Sequence, residues 1–149
     1  MSTLKPRIVA IDYGTKRIGL AKSDLLQLFA QSVGTFSESD LYKQLAAIER
    51  EDGIEKILLG NPTSGDGSPN RMTNIVAQFE ARLQAKFPNI VIEKVSEFGS
   101  SKAALHTLVE SGVGKKERNT KGRLDKVAAA LLLQHYLETR PKPNYETSA

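Results

Sequence analysis

An α/β fold on a mixed five-stranded sheet, three antiparallel strands and then two parallel ones flanked by helices, is what the sequence predicts. Three observations carry that expectation. A short β-branched apolar run at residues 8–11 is followed at once by two further strand-like stretches. Two later apolar runs, at 57–59 and 90–95, are each reached through a segment of helical periodicity. The resulting order, β-β-β-α-β-α-β-α-α, is broken by no internal repeat and no linker composition. Strands joined directly favour an antiparallel meander, and strands reached through helices favour parallel addition.

Each element has its own reason. Residues 8–11 form a continuous apolar run between Pro6 and the Asp12-Tyr-Gly14 turn, which reads as a strand buried on both faces. Residues 17–21 follow closely enough to be its hairpin partner, and residues 29–36 supply a third strand that Gly34 weakens. Ser39 and Asp40 offer a side-chain cap to a helix carrying Leu41, Leu45 and Ile48 on one face, stopped by Gly53. After the strand at 57–59, residues 60–70 hold three glycines and two prolines and read as a loop. Met72, Ile75, Val76, Phe79 and Leu83 then make an i, i+3, i+4, i+7 stripe that ends before Pro88. Beyond the fifth strand, Ser100 or Ser101 caps a shorter helix with Leu105, Leu108 and Val109, ended by Gly112. A last helix over residues 124–137 turns Val127, Ala128, Leu131 and Leu132 toward the core. One domain over residues 1–140 and a flexible tail over 141–149 account for the chain.

Composition excludes several function classes. With 149 residues and 40% hydrophobic content, the chain has the size of a single domain with one packed core. It has no cysteine, which removes disulfides, thiolate zinc sites and cysteine nucleophiles. No signal-peptide run opens it and no stretch of about 18 apolar residues spans a bilayer, so a cytoplasmic protein without membrane contact is expected. The formal charge of +4 is concentrated in residues 115–126, where Lys115, Lys116, Arg118, Lys121, Arg123 and Lys126 outnumber Glu117 and Asp125. Such a segment suits a mobile loop on phosphates, or a solvated surface loop, and without aromatics it would touch backbone rather than bases. His106 and His135 have no ligand spacing and read as structural or surface residues.

Three acids fall at the ends of elements. Asp12 closes the first strand, Glu97 the fifth, and Asp125 lies in the first turn of the last helix. Open α/β sheets hold ligands at strand ends, and converging carboxylates need a cation. Oxygen donors without Cys or paired His favour Mg²⁺ or Mn²⁺, a pairing suited to phosphodiester hydrolysis. Each acid also has a plainer role: a turn residue for Asp12, a dipole partner for Asp125, and for Glu97 no signal by itself.

The stretch Asp12-Tyr-Gly-Thr-Lys-Arg-Ile-Gly-Leu-Ala21, followed by Ser23 and Asp24, changes that balance. It resembles the opening motif of the YqgF/RuvX family, described both as Holliday junction resolvases and as pre-16S rRNA nucleases. Gly60-Asn-Pro62 with Asp66-Gly-Ser68 resembles the family's Gly-x-Pro…Asp-Gly-Ser loop, and Asp125-Lys-Val-Ala-Ala its terminal helix. The likeness runs from Ile8 to about Leu137. It implies an RNase H-like fold and a divalent-metal nuclease using Mg²⁺ or Mn²⁺ on Asp12, Glu97 and Asp125. Lys16, Arg17, Asn61, Ser64, Lys115, Lys116, Arg118, Lys121 and Arg123 would hold the nucleic acid. Where the family usually reads Asp-Glu-Arg-x-Thr-Ser/Thr, this chain has Ser96-Glu97-Phe98-Gly99-Ser100-Ser101, an acid and a base fewer.

The expected partner is structured RNA (precursor rRNA, with ribosome association) or branched DNA, and the expected state a monomer or homodimer. Maturation of the 5′ end of 16S rRNA leads, with junction resolution in DNA recombination as the alternative. A non-catalytic nucleic-acid-binding module, supported by the altered 96–101 segment, is the third reading. The Asp12-x-Gly-Thr15 hairpin also resembles that of sugar kinases and actin-like ATPases, but enclosing ATP takes two lobes.

Overall fold

The computed structural model describes residues 4–14, 16–61, 71–96 and 121–140. Eight elements occupy them: β1 (Arg7–Tyr13), β2 (Ile18–Ser23), β3 (Ala30–Phe36), α1 (Glu38–Glu51), β4 (Ile54–Asn61), α2 (Arg71–Lys86), β5 (Val91–Ser96) and α3 (Lys121–Thr139). The sheet order is β3-β2-β1-β4-β5, with β1 antiparallel to β2 and β2 to β3, and with β1–β4 and β4–β5 parallel. The expected mixed sheet is therefore present, with β1 at its centre.

Period-two alternation divides β1 and β4 between two cores. Val9, Ile11, Ile57 and Leu59 face α1 and α2, where they meet Leu41, Leu45, Val76, Phe79 and Leu83. Ile8, Ala10, Ala21 and Leu58 face the other way, onto Ala129, Leu132 and Leu133 of α3. Helices thus cover both faces, and the continuous apolar runs of β1 and β4 follow from burial on both sides.

The structure differs from the sequence reading in five places. Strand β1 runs on through Asp12 and Tyr13, which pair with Gly19 and Ile18, so Asp12 lies within the strand and not in the turn after it. The cap of α1 is Ser37, whose Oγ accepts from the Asp40 backbone N–H at 3.2 Å, and not Ser39 or Asp40. Ser37, Ser39 and Asp40 are all competent caps, so composition alone does not choose among them. Strand β4 begins at Ile54 and ends at Asn61, longer than its apolar centre, so Gly60 and Asn61 belong to the strand rather than to the following loop. Helix α3 starts at Lys121, which makes Lys121 and Arg123 helical instead of loop residues and puts Asp125 past the first turn. Its buried stripe is Ala129, Leu132 and Leu133, while Val127, Ala128 and Leu131 are only half-buried. Residues 127–133 are seven consecutive apolar residues, and such a run gives a helix without giving its phase. The 62–70 loop, the helix expected at 100–112, His106 and the 141–149 tail lie outside the described residues.

Leu133→Ala should therefore lower the unfolding free energy by about 2–5 kcal/mol and Leu131→Ala by about 1 kcal/mol or less. Urea denaturation of both variants checks this, and a reversed order would return Leu131 to the core.

Candidate active site

Position 12 inherits its direction from the strand that carries it. Asp12 has the parity of Ile8 and Ala10, the residues of β1 that face α3, while Tyr13 has the parity of Val9 and Ile11. The Tyr13 ring lies against Phe79 of α2 with centroids 4.4 Å apart. Phe79 also stacks on Tyr42 at 6.4 Å, and Arg82 donates to both Glu38 carboxylate oxygens at 2.8 and 3.0 Å. That pair from Arg82, with a further bond from the Tyr42 hydroxyl, holds the Glu38 carboxyl below its ordinary range. The end of β1 is thus pinned on the α1–α2 side, and Asp12 is left on the other.

Helix α3 brings the second acid to the same edge. Its C-terminal end touches the starts of strands: Ala30 N–H donates to Gln134 Oε1 at 2.8 Å, and Lys56 Nζ donates to the Tyr136 hydroxyl at 2.8 Å. The helix therefore runs opposite to β1 and β4. Eleven helical residues from Tyr136 back to position 125 span roughly 16 Å, and four strand residues from Lys56 to Gly60 span roughly 13 Å. Position 125 accordingly lies near the level where β1 and β4 end. It is one helical turn before Ala129, the first buried residue of α3 among those described. Because Asp125 is past the first turn, a dipole role at the helix N-terminus explains it poorly.

The remaining expected residues divide as follows. Asn61 is half-buried at the end of β4, paired in register with Ser96, the last residue of β5. Lys16 and Arg17 are exposed in the β1–β2 turn, one chain turn from Asp12. Glu97, one residue past Ser96, lies outside the described residues, as do Ser64, Lys115, Lys116 and Arg118. Lys121, Arg123 and Asp125 are described as backbone of α3 only. Among the described residues no three acid, His or Cys side chains gather as a metal cluster.

The Asp12 side chain suits a hard cation. It is half-buried and makes no hydrogen bond or ion pair among the described residues. A carboxylate held so, with a second acid on the facing helix and no soft donor nearby, fits Mg²⁺ or Mn²⁺. Two surface hollows of about 460 and 390 Å³ lie elsewhere, sharing Lys86 and Phe87 on the α1–α2 side. Neither is lined by Asp12, and hollows formed by helix ends say nothing about an ion at a strand edge.

The sequence reading missed Tyr13 and Phe79 as supports of the site. The signal was available, since Tyr13 continues the Val9–Ile11 parity and Phe79 lies on the α2 stripe. The reading did single out Gly14, and the structure gives the reason. Gly14 N–H donates to Arg17 carbonyl oxygen at 3.0 Å, and a Cβ at Gly14 would lie 2.5 Å from that oxygen.

A family model described as RuvX, Holliday junction resolvase, matches residues 6–139. A protein of Prosthecochloris aestuarii named "Putative pre-16S rRNA nuclease" is 54% identical over 90% of this chain and 94% of its own length. One of Chlorobium phaeobacteroides with the same name is 51% identical over 89% and 92%. Among solved structures, T. thermophilus RuvC in complex with Holliday junction substrate matches 90% of this chain and 94% of its own, with a TM-score of 0.51 and 17% identity. That likeness shows the fold, which is RNase H-like. No described helix is long and apolar enough to cross a membrane.

Gly14→Ala should lower stability by about 1–3 kcal/mol, because the added methyl meets a backbone carbonyl within a tight turn. Chemical denaturation measures it, and an unchanged midpoint would mean that the turn relaxes without cost.

Proposed function

We propose, from the premise that the chain belongs to the RuvX family of Holliday junction resolvases, that it is a divalent-metal nuclease acting on structured nucleic acid. One observation carries the reading. Asp12, unpartnered among the described residues, lies next to the end of the central strand on the side covered by α3, and position 125 falls one helical turn before Ala129 in that helix. Two acids on facing elements at one sheet edge repel each other unless a cation lies between them.

Asp12, Asp125 and Glu97, which is two residues past the α3-facing Val95, would hold Mg²⁺ or Mn²⁺. When bound, such ions activate water and stabilise a leaving oxygen in phosphodiester hydrolysis. The protein's own part is to fix the acids and to hold the substrate. Tyr13 against Phe79 fixes the end of β1. Lys16 and Arg17 beside Asp12, and Lys115, Lys116, Arg118, Lys121 and Arg123 before and at the start of α3, would bind phosphates, with Asn61 and Ser64 as polar contacts.

The substrate we favour is precursor 16S rRNA, because relatives 46–54% identical carry that name. The family's description supports a second reading, cleavage of a four-way DNA junction, in which paired cuts would take a symmetric dimer. The altered segment at 96–101 supports a third, a module that binds without cutting. Metal-dependent activity, a cytoplasmic location and ribosome association are parts of the proposal.

The test is cleavage of labelled precursor-16S 5′ leader and of a four-way DNA junction, side by side, in Mn²⁺ or EDTA. The expected result is metal-dependent cutting of the RNA, reduced at least about 100-fold by Asp12→Asn while binding is retained. Equal cutting by the variant would sink the assignment of Asp12. Binding of either substrate without cutting would favour the module.

A further inference from the structure

Asp12 is paired across the antiparallel ladder with Gly19. On its other side Ile11 pairs with Leu59, so Gly60 comes next in register beside Asp12. Two glycines therefore flank the acid, one on each neighbouring strand. Neither is glycine for the sake of its backbone. Among the described residues the positive-φ glycines are Gly34 and Gly53, whereas Gly19 and Gly60 lie in regular β2 and β4. A strand-interior glycine forfeits packing and loses more conformational freedom on folding than any other residue, and it commonly marks the close approach of something else.

What such a residue keeps clear is set by geometry. Residues directly opposed across an antiparallel pair share a face, with Cβ atoms about 4.5–5.5 Å apart, and a parallel neighbour is about 4.8 Å away. Any larger residue at 19 or 60 would crowd Asp12 on the α3 face. With glycine at both, neither neighbouring strand sets a side chain beside the acid over two inter-strand spacings, about 10 Å. A metal ion bonded to a carboxylate oxygen at about 2.1 Å needs no such width, whereas a sugar–phosphate chain laid across the strand ends does.

We infer that Gly19 and Gly60 are specificity-determining positions, which keep the sheet beside Asp12 free of side chains so that a nucleic-acid backbone, and not an ion alone, can lie against the acid. The inference rests on the nuclease reading of the same site. Both glycines are buried, so the competing explanation is close packing of covering chain on the sheet. The two explanations differ in sign. Clearance for a substrate lets a β-favouring side chain keep or raise stability while function falls, whereas a packing role makes stability fall with it.

The experiment uses the full chain with Gly19→Ala, Gly19→Val, Gly60→Ala and Gly60→Val. Four quantities are read: the thermal midpoint, Mn²⁺ binding by calorimetry, affinity for the substrate in EDTA, and kcat and KM separately. The inference expects an unchanged or raised midpoint and Mn²⁺ affinity within about threefold of the parent. It expects nucleic-acid affinity to fall at least about tenfold for valine and less for alanine, with the loss appearing in KM. Variants that bind and cut as the parent does would overturn it. So would a midpoint lowered by several degrees in both valine variants, which would assign the glycines to packing. If the parent itself neither binds nor cuts nucleic acid, the nuclease reading fails and this inference with it. A parent that cuts, beside variants that also cut normally, removes the inference alone.

Discussion

The burial of β1 on both faces fixes the direction of every side chain it carries. Val9 and Ile11 are fully buried on the α1–α2 side, and Ile8 and Ala10 fully buried on the α3 side. A slip of one residue would exchange the two sets. It would also drive Asp12 into the α1–α2 core, where an ionised carboxylate without a partner is costly, and it would free Tyr13 from Phe79. An aromatic pair of this kind contributes about 0.5–1.5 kcal/mol beyond its buried area. The placement of the acid is thus enforced by residues that take no part in any chemistry.

The second constraint is the axial position of α3. Its apolar contacts with the sheet, through Ala129, Leu132 and Leu133, would tolerate sliding more readily than its polar ones. Among the described residues, those polar contacts lie at its C-terminal end. Glu93 and then the Tyr136 hydroxyl hold Lys56 above its ordinary pKa, and both accept from Nζ at 2.8 Å. Arg140 donates to the carbonyl oxygen and to Oε1 of Gln27, whose own amide donates to Pro6 and Glu55. Gln27 has φ of 57°, a left-handed conformation that a non-glycine residue keeps only when its surroundings over-determine it. This end of α3 is therefore anchored by partly buried polar contacts, and the helix projects from them to the edge where Asp12 lies.

The sequence made the fold legible because its signals were periodic and independent of one another. Residues 8–11 and the α2 stripe each predict one element, and the meander-then-parallel order follows from how the strands are joined. What was illegible had a physical reason in each case. Residues 127–133 are apolar on every side of a helix, so its phase depends on which of them the sheet presents a gap for. Glu55 and Lys56 hid the start of β4, because an exposed acid and a lysine paired with Glu93 break an apolar run without breaking the strand. Of the candidate site, Asp12 and Asp125 stood out in the sequence as acids near element ends, and Gly14 as a turn residue. The flanking Gly19 and Gly60 were visible only as motif letters until strand register set them beside Asp12.

The start of α3 at Lys121 also changes what its charges mean. A helix N-terminus carries partial positive charge, so acids are favoured in its first turn and bases there cost about 0.3–1 kcal/mol each. This first turn has no acid and includes Lys121 and Arg123. The acid that follows, Asp125, comes after that first turn, too late to relieve them. Two bases in the first turn, at the edge toward which Asp12 lies, are a placement whose cost a polyanion would offset by supplying the missing negative charge. A phosphate backbone would be drawn to the first N–H groups of the helix and to both bases at once. The bases would then act as substrate contacts, with Asp125 one turn further into α3.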